Sequence, residues 1–310
     1  MVDSTQDKIR NLRMQKIYLS DAGPKVSPAV YSFHRWQEEQ NTTPAAMEKI
    51  VNLCLELGIN TFDHADIYGT YHAEELFGQV ISQKSFKRED IVLFTKCGLR
   101  LPHPSKPEVR VKHYDTSRQH ILRCLDESLR NLQTDYIDIF LLNYLDPISN
   151  LEETAITLRQ LKESGKVKNI GVANFTVFQH QLLAAYLNIP IVTNHIELNL
   201  LNTLALDNGQ IDYSRQRYMR PIASGPLADG RIANGTDEVA VRVRQKLQQM
   251  GEKYNADPES IAVAWIIKLD ALPLLGTRDE QRLRHAAKAF TIDLEHQDWY
   301  ELYAISRGEM

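Results

Sequence analysis

The chain has 310 residues, with 36 Lys plus Arg against 40 Asp plus Glu, a net charge of −4 and a pI near 6.2. At 43% hydrophobic and 25% charged residues it has ordinary globular composition, and it carries no basic block of the kind that nucleic acid or a membrane surface attracts. Three cysteines are too few for a disulfide framework, no apolar run reaches the ~18 to 20 residues of a membrane span, and the polar start has no secretory-signal character. The expectation is a cytoplasmic monomer with neither nucleic-acid nor membrane partners. Residues 1–15 are expected to be a flexible extension and residues 16–310 one domain.

Short apolar or β-branched runs predict strands at 27–33, 60–65, 91–96, 136–143, 168–173, 191–196, 220–224 and 272–275. Amphipathic segments between them predict helices at 43–57, 73–82, 117–132, 151–164, 177–186, 238–254, 258–268 and 280–289. Thr43-Pro44 is a helix-start signal, and Gly165 is placed where a helix needs a left-handed cap. Residues 201–219 read equally as helix or loop. Alternating strands and helices argue for a parallel sheet, either open and doubly wound or closed. No GxGxxG follows the first strand, and eight units over about 280 residues fit the (β/α)₈ TIM barrel.

Chemistry in such a barrel gathers where strands end at their C-terminal side. Asp63 and Tyr68 fall there in DHADIYG, Lys96 in VLFTKCG, Asn143 in IFLLNYLDP and Asn174 in GVANFT. His195 lies in the sixth strand, Ser224 ends the seventh, and Gly276-Thr277-Arg278 follows the eighth. A lysine at the end of a buried strand needs an anionic partner, and Asp63 is the natural one. Three readings of Lys96 stand: a structural ion pair, a Schiff-base amine, or a cation that lowers the phenol pKa of Tyr68 from ~10 and makes it an acid. Cys97 reads as a packed strand-end thiol. The histidines show no HxxxH or HxH spacing, so no metal site is expected. The loop 103–115 is either a cover for the active face or a disordered surface loop.

Together, FDHADIYG, TKCG, DYIDIFLLNYLDP, LKESGKVKNIGVANF, and PLLGT followed by Arg282-Leu283 resemble the aldo-keto reductase family, nearest its bacterial oxidoreductase branch. The resemblance implies a (β/α)₈ barrel that binds NADP(H) without a dinucleotide fingerprint. It also implies a site in which Asp63 pairs Lys96, Lys96 tunes Tyr68, and Tyr68 protonates a carbonyl oxygen. The family's catalytic histidine falls at Asn143, as in potassium-channel β-subunits; its amide can still donate to an oxygen. Around the nicotinamide the resemblance assigns Asn174, His195 in place of a glutamine, and Ser224 in place of a stacking aromatic. Pro226, Leu227 and Arg231 resemble the loop over the pyrophosphate, and Gly276 and Thr277 would meet a phosphate. Arg278 and Arg282 would reach the 2′-phosphate. The implied activity is NADPH-dependent reduction of a small aldehyde or ketone; the departures leave a nicotinamide-binding sensor with vestigial chemistry as the alternative.

Overall fold

A computed structural model describes residues 14–36 and 42–309. Eight parallel strands close into a barrel in sequence order: β1 (Val30–Ser32), β2 (Thr61–Asp63), β3 (Val92–Cys97), β4 (Ile137–Asn143), β5 (Val167–Ala173), β6 (Ile191–Glu197), β7 (Ile222–Ser224) and β8 (Leu272–Leu275). This is a single (β/α)₈ TIM barrel, as the alternation of patterns implies. The strands are near-continuous apolar runs because both of their faces are covered; all seven residues of β4 are buried.

The helical layer comprises α1 (Pro44–Glu56), α2 (Ala73–Ser82), α3 (Arg118–Asn131), α4 (Leu151–Glu163), α5 (Val177–Leu187), α6 (Leu204–Asp207), α7 (Gln210–Gln216), α8 (Arg231–Asn234), α9 (Glu238–Tyr254), α10 (Pro258–Ile267), α11 (Glu280–Lys288) and α12 (His296–Arg307). Local chemistry sets their ends. Thr43 Oγ1 accepts from Ala46 N ahead of Pro44, Thr176 and Gln179 close a reciprocal capping box, and Gly165 takes φ +78° after α4. Residues 201–219 resolve into two short helices, α6 and α7. The sequence pattern stopped at Ala289 and missed α12, which is anchored by Trp299 stacked on Trp265 with ring centroids 5.0 Å apart.

The core has two parts. Val30, Phe94, Ile139, Leu141, Val192, Ile222 and Leu274 fill the barrel, and a larger cluster lies between strands and helices. A hairpin of Ile17–Tyr18 and Lys25–Val26 contributes Leu19 and Val26 to the inner cluster, tied to the barrel by Arg220 N donating to Leu19 O at 2.8 Å. Of the extension expected at 1–15, residues 1–13 lie outside the described residues, while Met14 packs against the core. Residues 99–114 form a hairpin of Leu99–Arg100 with His113–Tyr114, its base fixed by Tyr71 OH donating to Leu101 O at 2.8 Å and by Tyr114 stacked on Tyr144. Among the described residues, no helix is long and apolar enough to cross a membrane.

Candidate active site

Strand ends bring three of the expected residues together. Parallel pairing sets Asp63 beside Phe94 on β3, so Lys96, two residues on and on the same face, reaches Asp63 Oδ1 with its Nζ at 2.6 Å. The same Nζ donates to His64 O at 2.9 Å. Tyr68 stands in the turn after β2; its hydroxyl donates to Asp63 Oδ2 at 3.3 Å, and its ring face lies 4.5 Å from Lys96 Nζ. Ser32 at the end of β1 donates to that Oδ2 at 3.0 Å. Asp63 is therefore a fully buried carboxylate with three donors around it.

The electrostatics follow from this packing. Burial pushes the Asp63 carboxyl up, but the Lys96 ammonium, with the Ser32 hydroxyl, outweighs it and holds the group below the usual carboxylate range. Burial works against charge on Lys96 as well, yet Asp63 and Tyr68 raise it above its ordinary value, so it is an ammonium. Tyr68 differs from the sequence expectation. Lys96 does pull the phenol down, but burial and the Asp63 charge are stronger, and its pKa lies above 10.0.

Asn143 and Asn174 meet across adjacent strand ends, with Asn174 Nδ2 donating to Asn143 Oδ1 at 2.9 Å. The end of Asn143 not used in this bond is its own amide donor. Asn174 and Ser224 line an open cavity of about 390 Å³ together with Tyr68, His34, Glu197 and Asn199. Arg231 lines it too and pairs with Asp237 at 3.0 Å. Asn199 Nδ2 is buried without a hydrogen-bond partner. A narrower channel of about 80 Å³ continues between the loops after β7 and β8, lined by Pro226, Leu227, Gly276, Thr277 and Arg282. The two share His34, Gly225, Asp229 and Leu274; Glu259 and Arg282 then carry the channel into a third cavity of about 380 Å³.

His195 lies deeper than the cavity lining. It is buried in the barrel with Nδ1 3.9 Å from Asp63 Oδ1 and its ring 6.0 Å from Phe94, beneath the site and outside the groove. A bulge between Ile191 and Asn194 is the cause: it shifts the alternation of β6, so that Glu197 reaches the cavity wall and Asn194 binds the backbone of Phe175 instead. Burial pushes the His195 imidazole down to about 3, so it is neutral.

At the other end, Gly276 admits a side chain of this protein: a Cβ there would fall 2.5 Å from Cε1 of His34. Thr277 Oγ1 accepts from Asp279 N, and Asp279 caps α11 by accepting from Arg282 N at 3.0 Å. Arg278 lies over the Trp36 ring at 4.8 Å, and Arg282 grips Glu259 through two bonds of 2.6 and 3.1 Å. Asp229 is exposed and pairs with Arg35 at 2.8 Å across the channel. His34, Glu197, Asn199 and Glu259 are among the groove residues that sequence reasoning missed. The strand-end rule would have found His34 had it been applied to β1; nothing in the sequence signals the bulge that turns Glu197 inward.

Residues 32–307 match the Aldo/keto reductase family. The chain belongs to that family. Among relatives of this aldo/keto reductase, the 6-dehydroglucose reductase of Agrobacterium fabrum is 37% identical, covering 96% of this chain and 99% of that one. Oxidoreductase YdhF of Escherichia coli is 32% identical over 95% of this chain and 98% of its own. The fold is also that of the solved thermostable aldo-keto reductase Tm1743, with a TM-score of 0.81 at 22% identity, covering 94% of this chain and all of that one. Bacterial oxidoreductases are thus full-length relatives, and the aldo/keto reductase has a nicotinamide-dependent oxidoreductase scaffold.

Proposed function

We propose that this aldo/keto reductase reduces an aldehyde or ketone to an alcohol with NADPH, and that Tyr68 is the proton donor. The observation that carries the reading is the Asp63–Lys96–Tyr68 network at one wall of a cavity that runs on into a long channel. The groove suits an extended dinucleotide: it is continuous through shared residues, and it offers the unpartnered Asn199 amide. Asn174, Ser224 and Asn199 would hold the nicotinamide end. Pro226, Leu227, Gly276 and Thr277 would line the pyrophosphate, with Arg231 on the loop beside it. Arg278 and Arg282 supply the positive charge for a 2′-phosphate, Glu259 presenting the Arg282 guanidinium. When bound, the cofactor supplies the hydride.

The chain's own work is proton delivery. Tyr68 gives up its bond to Asp63 Oδ2 and passes its hydroxyl proton to the carbonyl oxygen. Lys96, facing the ring, stabilises the phenolate that remains, and Asp63 fixes the lysine. Asn143 donates its amide N–H to the same oxygen in place of a histidine. The Lys96 charge works against a Schiff-base role, which needs a neutral amine. Glu197, Asn199, Asn202 and Asp229 make the substrate cavity rich in hydrogen-bonding groups, which suits a hydroxylated carbonyl compound such as the relative's 6-dehydroglucose. Three buried free cysteines support a reducing, cytoplasmic setting.

The sensor reading draws on one observation: the Tyr68 proton is engaged by Asp63 and its pKa is raised. The two separate on NADPH oxidation by the purified protein over a panel of aldoses, simple aldehydes and quinones. Turnover supports the reductase. Cofactor binding with no turnover on any carbonyl supports the sensor, and neither binding nor turnover overturns both.

A further inference from the structure

A second group of reactive side chains lies on the other side of β3, facing the helices. Thr95 and Cys97 alternate with Lys96, so they point away from the barrel interior. Thr95 Oγ1 donates to the buried Glu74, and the Cys97 thiol meets the face of α3 that carries His120 and Cys124, one helical turn apart. All three residues are buried, and their sulfur and nitrogen atoms lie within 4.8 Å of one another. Cys124 Sγ is 3.4 Å from His120 Nε2 and 3.5 Å from Asp66 Oδ2. Asp66, His120 and Cys124 line one cavity of about 60 Å³, roofed by the 99–114 hairpin through Leu99, Arg100 and Lys106.

We propose that this cluster is a structural zinc site: Cys97, Cys124 and His120 hold the ion beside the cavity, and Asp66, which reaches Cys124 from the cavity side, closes the fourth position. Tetrahedral zinc with Zn–S of about 2.3 Å and Zn–N or Zn–O of about 2.0–2.1 Å sets sulfur about 3.5 Å from a nitrogen or oxygen ligand, and about 3.8 Å from a second sulfur. From Cys124 Sγ, the 3.4 Å to His120 Nε2, 3.5 Å to its Nδ1 and 3.5 Å to Asp66 Oδ2 are of that size before any ion is bound. Two thiolates, one carboxylate and a neutral imidazole leave a divalent ion with a net charge of about −1. Arg100, Arg123 and Lys106 line the same cavity and balance it; Lys106 also faces Glu127 at 3.7 Å. Asp115 Oδ2 lies 3.8 Å from His120 Nδ1 and is the carboxylate toward which Nδ1–H would donate when Nε2 ligates. Arg123 Nη2, 3.1 Å from that Nδ1, loses this contact on loading.

Such a site has a structural consequence. Asp66 N donates to Lys96 O at 3.1 Å, and Cys97 follows Lys96 in the chain. An ion here would clamp the β2 turn that carries Tyr68 to the strand end that carries Lys96, making its ligands positioning residues for the site inside. Zinc loading forms metal–ligand bonds and releases the thiol protons to solvent, with no redox change.

The test uses full-length protein, reduced and stripped of metal, then loaded with Zn²⁺ or Co²⁺ and dialysed. The expected result is about one zinc per chain, a thiolate-to-cobalt charge-transfer band with tetrahedral d–d absorption, and a melting temperature that rises on zinc addition. Cys124→Ser should lose at least ten-fold in affinity along with the charge-transfer intensity, while Cys54→Ser, in α1, keeps both. No retained zinc and no cobalt spectrum in folded, reduced wild-type protein overturns the site. So does a Cys97–Cys124 disulfide forming under mild peroxide in protein that takes up no metal; that result would make the pair a redox couple instead.

Discussion

Lys96 and Cys97 are neighbours on one strand, and they face different chemistry. Inside the barrel, Lys96 is held by Asp63 and His64 O, and Asp63 in turn takes Ser32 and Tyr68, so this charged network is closed and satisfied. Between barrel and helices, both nitrogens of His64, the hydroxyls of Thr116 and Ser128, and His180 Nε2 are buried without hydrogen-bond partners, as is His195 Nε2 inside the barrel. The lesson is that strand alternation gives one strand two chemistries: an ammonium–carboxylate pair inside, and thiols, imidazoles and the buried Glu74 outside.

The largest expected effect comes from breaking the inner pair. Lys96→Met leaves Asp63 buried and unpaired, and should cost about 3–5 kcal/mol of stability and most carbonyl reduction. With the cation gone, the Tyr68 pKa rises further. Adding Asp63→Asn should restore much of the stability and none of the turnover; denaturant unfolding of both variants checks this. The outer layer is tested by pH. Burial pushes His180 down to about 4, so the folded protein keeps it neutral while the unfolded chain takes up a proton below pH 6.5. Stability should therefore fall from pH 6.5 towards 4, and His180→Gln should lessen that slope by about 1.4 kcal/mol per pH unit. An unchanged slope would mean that His180 protonates in the folded state.

Smaller effects sharpen the groove. Gly276→Ala pushes a methyl against His34 and should cost about 1–3 kcal/mol, or displace that ring from the junction of the two cavities. A melting curve and cofactor affinity together distinguish the two. Arg282→Ala should raise the KM for NADPH about ten-fold, about 1.4 kcal/mol, and leave NADH unaffected. Equal effects on both cofactors would remove Arg282 from 2′-phosphate recognition.

Most of the architecture was legible because both periodicities are strong: eight apolar runs became the eight barrel strands, and the segments between them became helices. Strand-end reasoning also brought Asp63, Tyr68, Lys96 and Asn143 to one end of the barrel. What escaped was set by tertiary contacts. The two-residue strands of the N-terminal hairpin are too short to show a period, and α12 owes its place to Trp265 and Trp299. The β6 bulge moved His195 under the site and Glu197 onto its wall. The rise in the Tyr68 pKa was hidden because it is a balance of burial and Asp63 against Lys96, and only distances weigh those. In the Cys97–His120–Cys124 cluster, His120 and Cys124 stand one turn apart in the sequence of α3, but Cys97 joins them only when β3 packs on α3.

The central claim is that Tyr68 delivers the proton from the inner network. A single-turnover experiment tests it most directly: Tyr68→Phe and wild-type protein are each saturated with NADPH, mixed with a carbonyl that the wild type turns over, and followed by loss of NADPH absorbance. The account predicts NADPH affinity within about two-fold of wild type and a rate at least about 100-fold slower, the loss expected when a general acid is removed. A Tyr68→Phe protein that consumes NADPH at the wild-type rate would contradict it.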